Sequence, residues 1–319
     1  MKRFFVALTA LTACVGMMNG AEPAEADSVY LMAYFTSPAQ HLFYAVSDDG
    51  LKWEEAWGGK PVFNAYDDRL WLRDPYVGVV EKDGHTTYHL VHTWGWDNPA
   101  IFHWQSEDLM NWRATDGGST TDSGRIYVMD GKEGRPKSPN AWAPEFTYVP
   151  EEDLYYVYWS SRVDDRQIHY YTTTRDWLTF TPAEVLFDPG FTAIDLTVAR
   201  DGDTFYGYYK DERNGEKRIL CARTHSMNPN VEAFEGIEPL LEGYDVEVEG
   251  PSVFRKIGGD GWICYFDKFN GDAGLDYAET DNLASGKWQL VDSSRVHNLP
   301  EMKHGSVIRI PRSLAKQLK

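Results

Sequence analysis

The chain has 319 residues, with 31 Lys and Arg against 49 Asp and Glu, and a formal net charge of −18. Such an acidic chain repels the phosphate backbone, which argues against a nucleic-acid partner. A charged fraction of 25% beside 42% apolar residues is that of a folded protein and excludes a disordered one, while 14% aromatic residues is a heavy load that needs an explanation.

Lys2 and Arg3 precede an apolar run from Phe4 to Ala13, the layout of a bacterial export signal. The run is too short to span a bilayer. Leu11-Thr12-Ala13-Cys14 has the form of a lipobox, in which Cys14 would become the lipidated N-terminus; cleavage near Ala21 is the alternative. Residues 1–27 therefore read as a signal peptide with a short polar linker, and 28–319 as one folded domain. The expected location is the cell envelope, lipid-anchored or periplasmic, or else secreted. Membrane contact would come only through the N-terminal lipid.

From Val29 onward the chain is a succession of short aromatic and β-branched runs. Leu42–Val46, Thr87–Val91, Leu154–Trp159 and Thr204–Tyr209 are examples, none long enough for a globular helix. Asp83-Gly84, Asp201-Gly202 and Asp260-Gly261 sit where hairpin turns belong. Cys221 and Cys264 lie in such runs and read as buried thiols or a pair, with no companion ligands for a metal.

A repeat organises these strands. Ser47-Asp48-Asp49-Gly50-Leu51-Lys52-Trp53 returns as Ser106-Glu107-Asp108-Leu109-Met110-Asn111-Trp112, then as Thr173 to Phe180, and in degraded form ending at Phe234 and Trp288. Five copies at roughly sixty-residue spacing, each with several strands, predict an all-β, five-bladed β-propeller. The terminal aromatic of each copy should wedge between neighbouring blades. A second register marks strands that open on a polar residue: Asp74-Pro75, Glu145 after Trp142-Ala143-Pro144, Ile194-Asp195, Glu249-Gly250-Pro251 and His304-Gly305-Ser306. As innermost strands, these would bring four carboxylates and a histidine to one end of the central channel. The strand after His304 has no blade left, and the N-terminal strands have no inner strand before them. Together they predict a last blade closed by both ends of the chain, which protects the sheet edges.

A five-bladed propeller offering Asp, Asp and Glu in this order resembles glycoside hydrolase family 43. Arg73-Asp74-Pro75, Trp142-Ala143-Pro144, Ile194-Asp195, Glu249-Gly250-Pro251 and His304-Gly305-Ser306 carry the likeness. The resemblance implies an inverting hydrolase with Asp74 as general base, Glu249 as general acid and Asp195 orienting the acid. Base and acid would then stand ~6.5–9.5 Å apart, with room for a water. It also implies that like-charge repulsion from Asp195 raises the Glu249 pKa. Here Glu145 follows Trp-Ala-Pro where the family often has Asp, and Leu196 follows Asp195 where Pro is commoner. His304 resembles an axial histidine beside a water-coordinated calcium ion, so a structural Ca2+ in the channel is allowed, though none is required for the chemistry.

Trp142, Trp94 and Trp96 are candidate sugar-stacking residues, with Glu145 and Arg73 as further substrate contacts. Trp71 and Trp104 read as packing residues, His92 and His103 as core or rim, and Thr115 to Asn140 as a loop over the site or a surface insert. The expected substrate is an oligo- or polysaccharide of the plant cell wall. Exo-acting α-L-arabinofuranosidase leads; β-xylosidase, exo-galactosidase or galactofuranosidase and endo-arabinanase follow. A glycan-binding propeller without catalysis is the reading from another class. A retaining invertase-like enzyme is disfavoured, because no Asn-Asp-Pro-Asn element precedes Arg73-Asp74-Pro75.

Overall fold

The computed structural model describes residues 27–62, 71–115, 123–268 and 274–319; the expected export signal and Cys14 lie outside them. Five antiparallel sheets stand around a central axis. From the axis outward, blade 1 runs Gly305–Pro311, Ser28–Tyr34, Phe43–Ser47 and Glu54–Glu55, so both ends of the chain close it. Tyr30 faces Arg309 and Ala33 faces Ser306 across that joint. Blade 2 comprises Leu72–Lys82, His85–Trp94, Ala100–Ser106 and Arg113–Ala114; blade 3, Trp142–Val149, Leu154–Val163, Arg166–Thr174 and Glu184–Phe187. Blade 4 comprises Ala193–Asp201, Thr204–Asp211, Ile219–Thr224 and Glu235–Pro239; blade 5, Val248–Arg255, Trp262–Lys268, Gly274–Thr280 and Gln289–Leu290. The segment expected to be a loop or an insert is partly folded: Arg125–Tyr127 pairs with the third strand of blade 2.

Alternating side chains face opposite sides of a strand, so each blade buries both faces against its neighbours, and five apolar clusters fill the five gaps. Each repeat aromatic enters one gap. Trp112 lies between blades 1 and 2, Phe180 between 2 and 3, Phe234 between 3 and 4, Trp288 between 4 and 5, and Trp53 between 5 and 1. The Trp53 indole N–H also donates to the Tyr277 hydroxyl of blade 5 at 2.9 Å. Burying such a ring is worth roughly 1.5–3 kcal/mol, and a polar handle directs where it goes. Asp83 and Gly84 both have positive φ between the paired residues Lys82 and His85, as a two-residue hairpin turn requires.

Candidate active site

The inner strands of blades 2 to 5 share one irregularity. Each breaks register with its neighbour near its start, at Arg73/Tyr76, Trp142/Glu145, Ile194/Thr197 and Glu249/Ser252. At each break one residue adopts a left-handed backbone: Asp74 (φ 49°), Ala143 (45°), Asp195 (57°) and Gly250 (54°). These are β-bulges, which turn side chains away from the regular pleat. A bulge removes an N–H from the ladder, and the preceding blade supplies an acceptor. Ala143 N donates to Thr93 Oγ1 (2.7 Å), Asp195 N to Ser160 Oγ (3.2 Å) and Gly250 N to Asp195 Oδ2 (3.1 Å). Holding an Asp in this conformation costs of order 1–3 kcal/mol, so Asp74 and Asp195 sit where local backbone preference would not place them.

The bulges also correct the register read from sequence. Asp74, Ala143, Asp195 and Gly250 are equivalent, whereas Glu249 lies one residue earlier and Glu145 two residues later. Glu249 therefore stays at the channel mouth, its side chain 31% exposed. Glu145 is buried within the channel, where the Tyr158 hydroxyl donates to it. Burial, with Asp195 nearby, pushes its pKa well above the usual carboxylate range despite the bonds from Thr197 and Tyr158.

At the mouth, Asp74, Asp195, Glu249 and His304 converge. His304 Nδ1 stands 3.6 Å from Asp74 Oδ1. A Cβ at position 250 would lie 2.5 Å from the His304 ring, so glycine is required there for room as well as for φ. Asp195 is 8% exposed, and its pKa is pushed up to about 6. Burial is the main cause; Glu249 and Asp74 add to it, and His304 and Lys210 oppose it.

Glu249 behaves differently from the expectation. Burial raises its pKa, but the Lys210 ammonium, 2.9 Å from Oε2, outweighs burial with help from His304 and Lys303, and the carboxyl is held below its ordinary range. The repulsion expected from Asp195 loses to a cation that the motif does not contain. Two more acids frame the site. Glu212 Oε2 is 2.6 Å from Lys210 Nζ, and Asp267, cross-strand from Glu249, pairs with Lys303 at 3.0 Å. Burial lifts the Asp267 pKa to about 6, with Glu249 adding to it against Lys303 and His304.

Lys210 and Asp267 were missed from sequence, although each had a signal. Both are charged residues inside aromatic runs, Tyr208-Tyr209-Lys210 and Tyr265-Phe266-Asp267, where a buried charge needs a partner.

The aromatic candidates divide. Trp96 is 55% exposed, with the Arg73 guanidinium 4.4 Å from its ring centroid and Phe35 also within reach of that guanidinium at 4.8 Å. Trp142 meets Trp96 edge to face at 5.8 Å, and its indole N–H donates to the Trp96 carbonyl at 2.8 Å. Trp94 is half-buried, with Arg125 over its ring at 4.8 Å and Phe102 at its edge, so it belongs to the packing. Trp71, expected to pack, is instead 54% exposed, while Trp104 is fully buried. His92 and His103 are core residues. Among the described residues no three His, Cys, Asp or Glu side chains converge as a metal site. A calcium ion beside His304 would be surrounded by waters, not by a protein cage.

A closed five-bladed propeller with an acid-lined channel mouth is the architecture of a class of carbohydrate-active enzymes. The family model described as a probable glycosyl hydrolase domain, related to family 43, matches residues 25–315, and the chain belongs to this family. An α-L-arabinofuranosidase of Bifidobacterium longum subsp. longum is 29% identical over 184 residues; the match covers 48% of this chain and 16% of that protein's length. The fold is shared with an endo-1,4-β-xylanase of Bacteroides thetaiotaomicron (TM-score 0.58, 14% identity, 83% of this chain and 91% of that one). It is shared as well with the catalytic domain of a GH62 α-L-arabinofuranosidase of Coprinopsis cinerea (TM-score 0.53, 15% identity, 77% of each chain).

Proposed function

We propose that the protein is an exported, exo-acting, inverting glycoside hydrolase of plant cell-wall glycans, with α-L-arabinofuranosidase as its activity. The observation that carries this reading is the convergence of Asp74, Asp195 and Glu249 at one channel mouth, in a chain whose family is a glycosyl hydrolase one. Asp74 acts as the base: its carboxylate takes a proton from the attacking water, and the adjacent His304 fixes its place. Glu249 gives a proton to the departing oxygen on the other side of the sugar. Asp195, clamped by the Gly250 N–H, holds the backbone that carries Glu249. Trp142 and Trp96 offer ring faces to the glycan, with Arg73 bracing Trp96. The likeness over 184 residues to part of an arabinofuranosidase supports the choice of sugar. The N-terminal signal and Cys14 support export with a lipid anchor.

The test is hydrolysis of a panel of aryl-furanosides, aryl-pyranosides and cell-wall oligosaccharides, followed by NMR. Release of arabinose with the inverted anomer appearing first is expected. A retained first product overturns the mechanism, and no cleavage across the panel favours a glycan-binding propeller. No step is assigned to an ion, so chelator treatment is expected to leave turnover unchanged.

A further inference from the structure

Lys210 is the unusual cation of the site. It lies on the second strand of blade 4, opposite Ile194, and is only 2% exposed, so it cannot reach water by extending. Its ammonium is shared between two carboxylates, 2.9 Å from Glu249 Oε2 and 2.6 Å from Glu212 Oε2. Glu212 is steadied from its other oxygen by Lys217 Nζ at 3.1 Å. Among the described residues, the other charges that act on Glu249 are Asp195 from the inner strand of blade 4, Asp267 from the second strand of blade 5, and Lys303 and His304 ahead of blade 1.

A proton donor cannot act while it is an ionised partner of a lysine. A buried ammonium, in turn, cannot leave that partner unless another stands ready, because an uncompensated buried charge costs several kcal/mol. Glu212 is that second partner, already within bonding distance, and the flexible three-donor ammonium needs only a small swing to serve it alone. We propose that Lys210 is a positioning residue with two stations: it clamps Glu249 as a carboxylate in the free protein, and it passes to Glu212 alone when a bound glycan covers Glu249, which then takes up a proton from solvent. This rests on reading Glu249 as the general acid. Proton balance is simple: one proton enters from water onto Glu249, and Lys210 stays an ammonium throughout. A glycan over the exposed part of Glu249 removes its water, which favours the neutral acid. The arrangement keeps the acid unloaded until substrate arrives.

The clamp is read without substrate by carboxyl 13C NMR titration of Glu-labelled protein, with Glu249→Gln assigning the resonance. Lys210→Met should raise the Glu249 midpoint by about one pH unit or more. Lys210→Arg should keep it low. Glu212→Gln, at a partly exposed side chain, should lower it further, because the Lys210 charge is then no longer divided between Glu249 and Glu212; this variant keeps the test available if Lys210→Met does not fold. An unmoved midpoint in Lys210→Met, or an upward shift in Glu212→Gln, overturns the clamp. With a cleaved substrate in hand, the alkaline limb of kcat/KM, which reports the free enzyme, should move upward in Lys210→Met more than the limb of kcat. Equal shifts of the two limbs overturn the second station. If the midpoints move as expected but nothing is hydrolysed, the proposed activity fails and the clamp stands; if hydrolysis proceeds and the midpoints do not move, the reverse holds.

Discussion

Blades 1 to 3 carry Asp49, Asp108 and Asp176 at outer turns, while Asp74, Asp195 and Glu249 stand on inner strands at the channel mouth. The outer acids are served by their own turn. Asp108 Oδ1 accepts from Met110 N at 2.9 Å and Asn111 N at 2.7 Å, and Asp49 and Asp176 repeat the pattern with the N–H groups two and three residues after each. Ser47, Ser106 and Thr174 donate their hydroxyls to the same carboxylates. Among the described residues, the inner acids have no such partners within their own turn. Their environment comes from other blades: a lysine of blade 4 for Glu249, a backbone N–H of blade 5 for Asp195, a histidine of blade 1 for Asp74. Backbone N–H bonds hold Asp176 below the ordinary Asp range, whereas burial lifts Asp195 above it. Residue type and repeat are common to both sets. The turn acid does the same work in each of blades 1 to 3, while a mouth acid's charge state is set by its neighbours.

The contrast can be broken most sharply at the mouth. Asp74→Asn or Glu249→Gln is expected to lower kcat/KM by about 10³-fold with an unchanged circular dichroism spectrum. Turnover at wild-type level in either variant would remove that residue from the chemistry. The outer repeat should fail in the opposite sense. Trp177 occupies the left-handed turn position that Gly50 and Leu109 hold in other copies, and its ring stacks on His103 at 3.7 Å. Trp177→Ala should cost about 3–5 kcal/mol of stability in denaturant titration. Residual folded enzyme should keep its KM.

Two smaller effects test the charge states. The folded-state pKa of Asp195, about 6, exceeds the unfolded value of about 4, so the folded protein holds the extra proton between them. This group's contribution to stability declines as pH rises through that window. Asp195→Asn should therefore flatten the fall of Tm between pH 4 and 6 while lowering activity; an unchanged slope would contradict the raised pKa. For Asp108 burial pushes the pKa up, but hydrogen bonds from Asn111, Met110 and Ser106 win and hold it low. Its contribution is present above the unfolded pKa and is lost as pH falls through the lowered folded value. Asp108→Ala should cost about 1 kcal/mol at pH 7, less at acid pH, with kcat unaffected.

The repeat, the five blades, the two-ended closure and the aromatic wedges were legible in the sequence because they rest on local periodicity: alternation along a strand, turn chemistry and a recurring unit. The positions of Asp74, Asp195, Glu249 and His304 at strand openings were legible for the same reason. Depth and charge were not. Glu145 reads as an opener like the others, yet the bulge at Ala143 places it two residues further along and buries it in the channel. Trp71 and Trp104 look alike in sequence, and only packing decides that one ring meets solvent and the other the core. The motif around Glu249 gives no hint that a lysine thirty-nine positions earlier holds it ionised. Strand periodicity is written within a few residues, so the sequence alone determined the propeller and where its acids enter the channel. Which of those acids carries a proton depends on charges that meet only when different blades close around the axis, and that was decided by the tertiary structure.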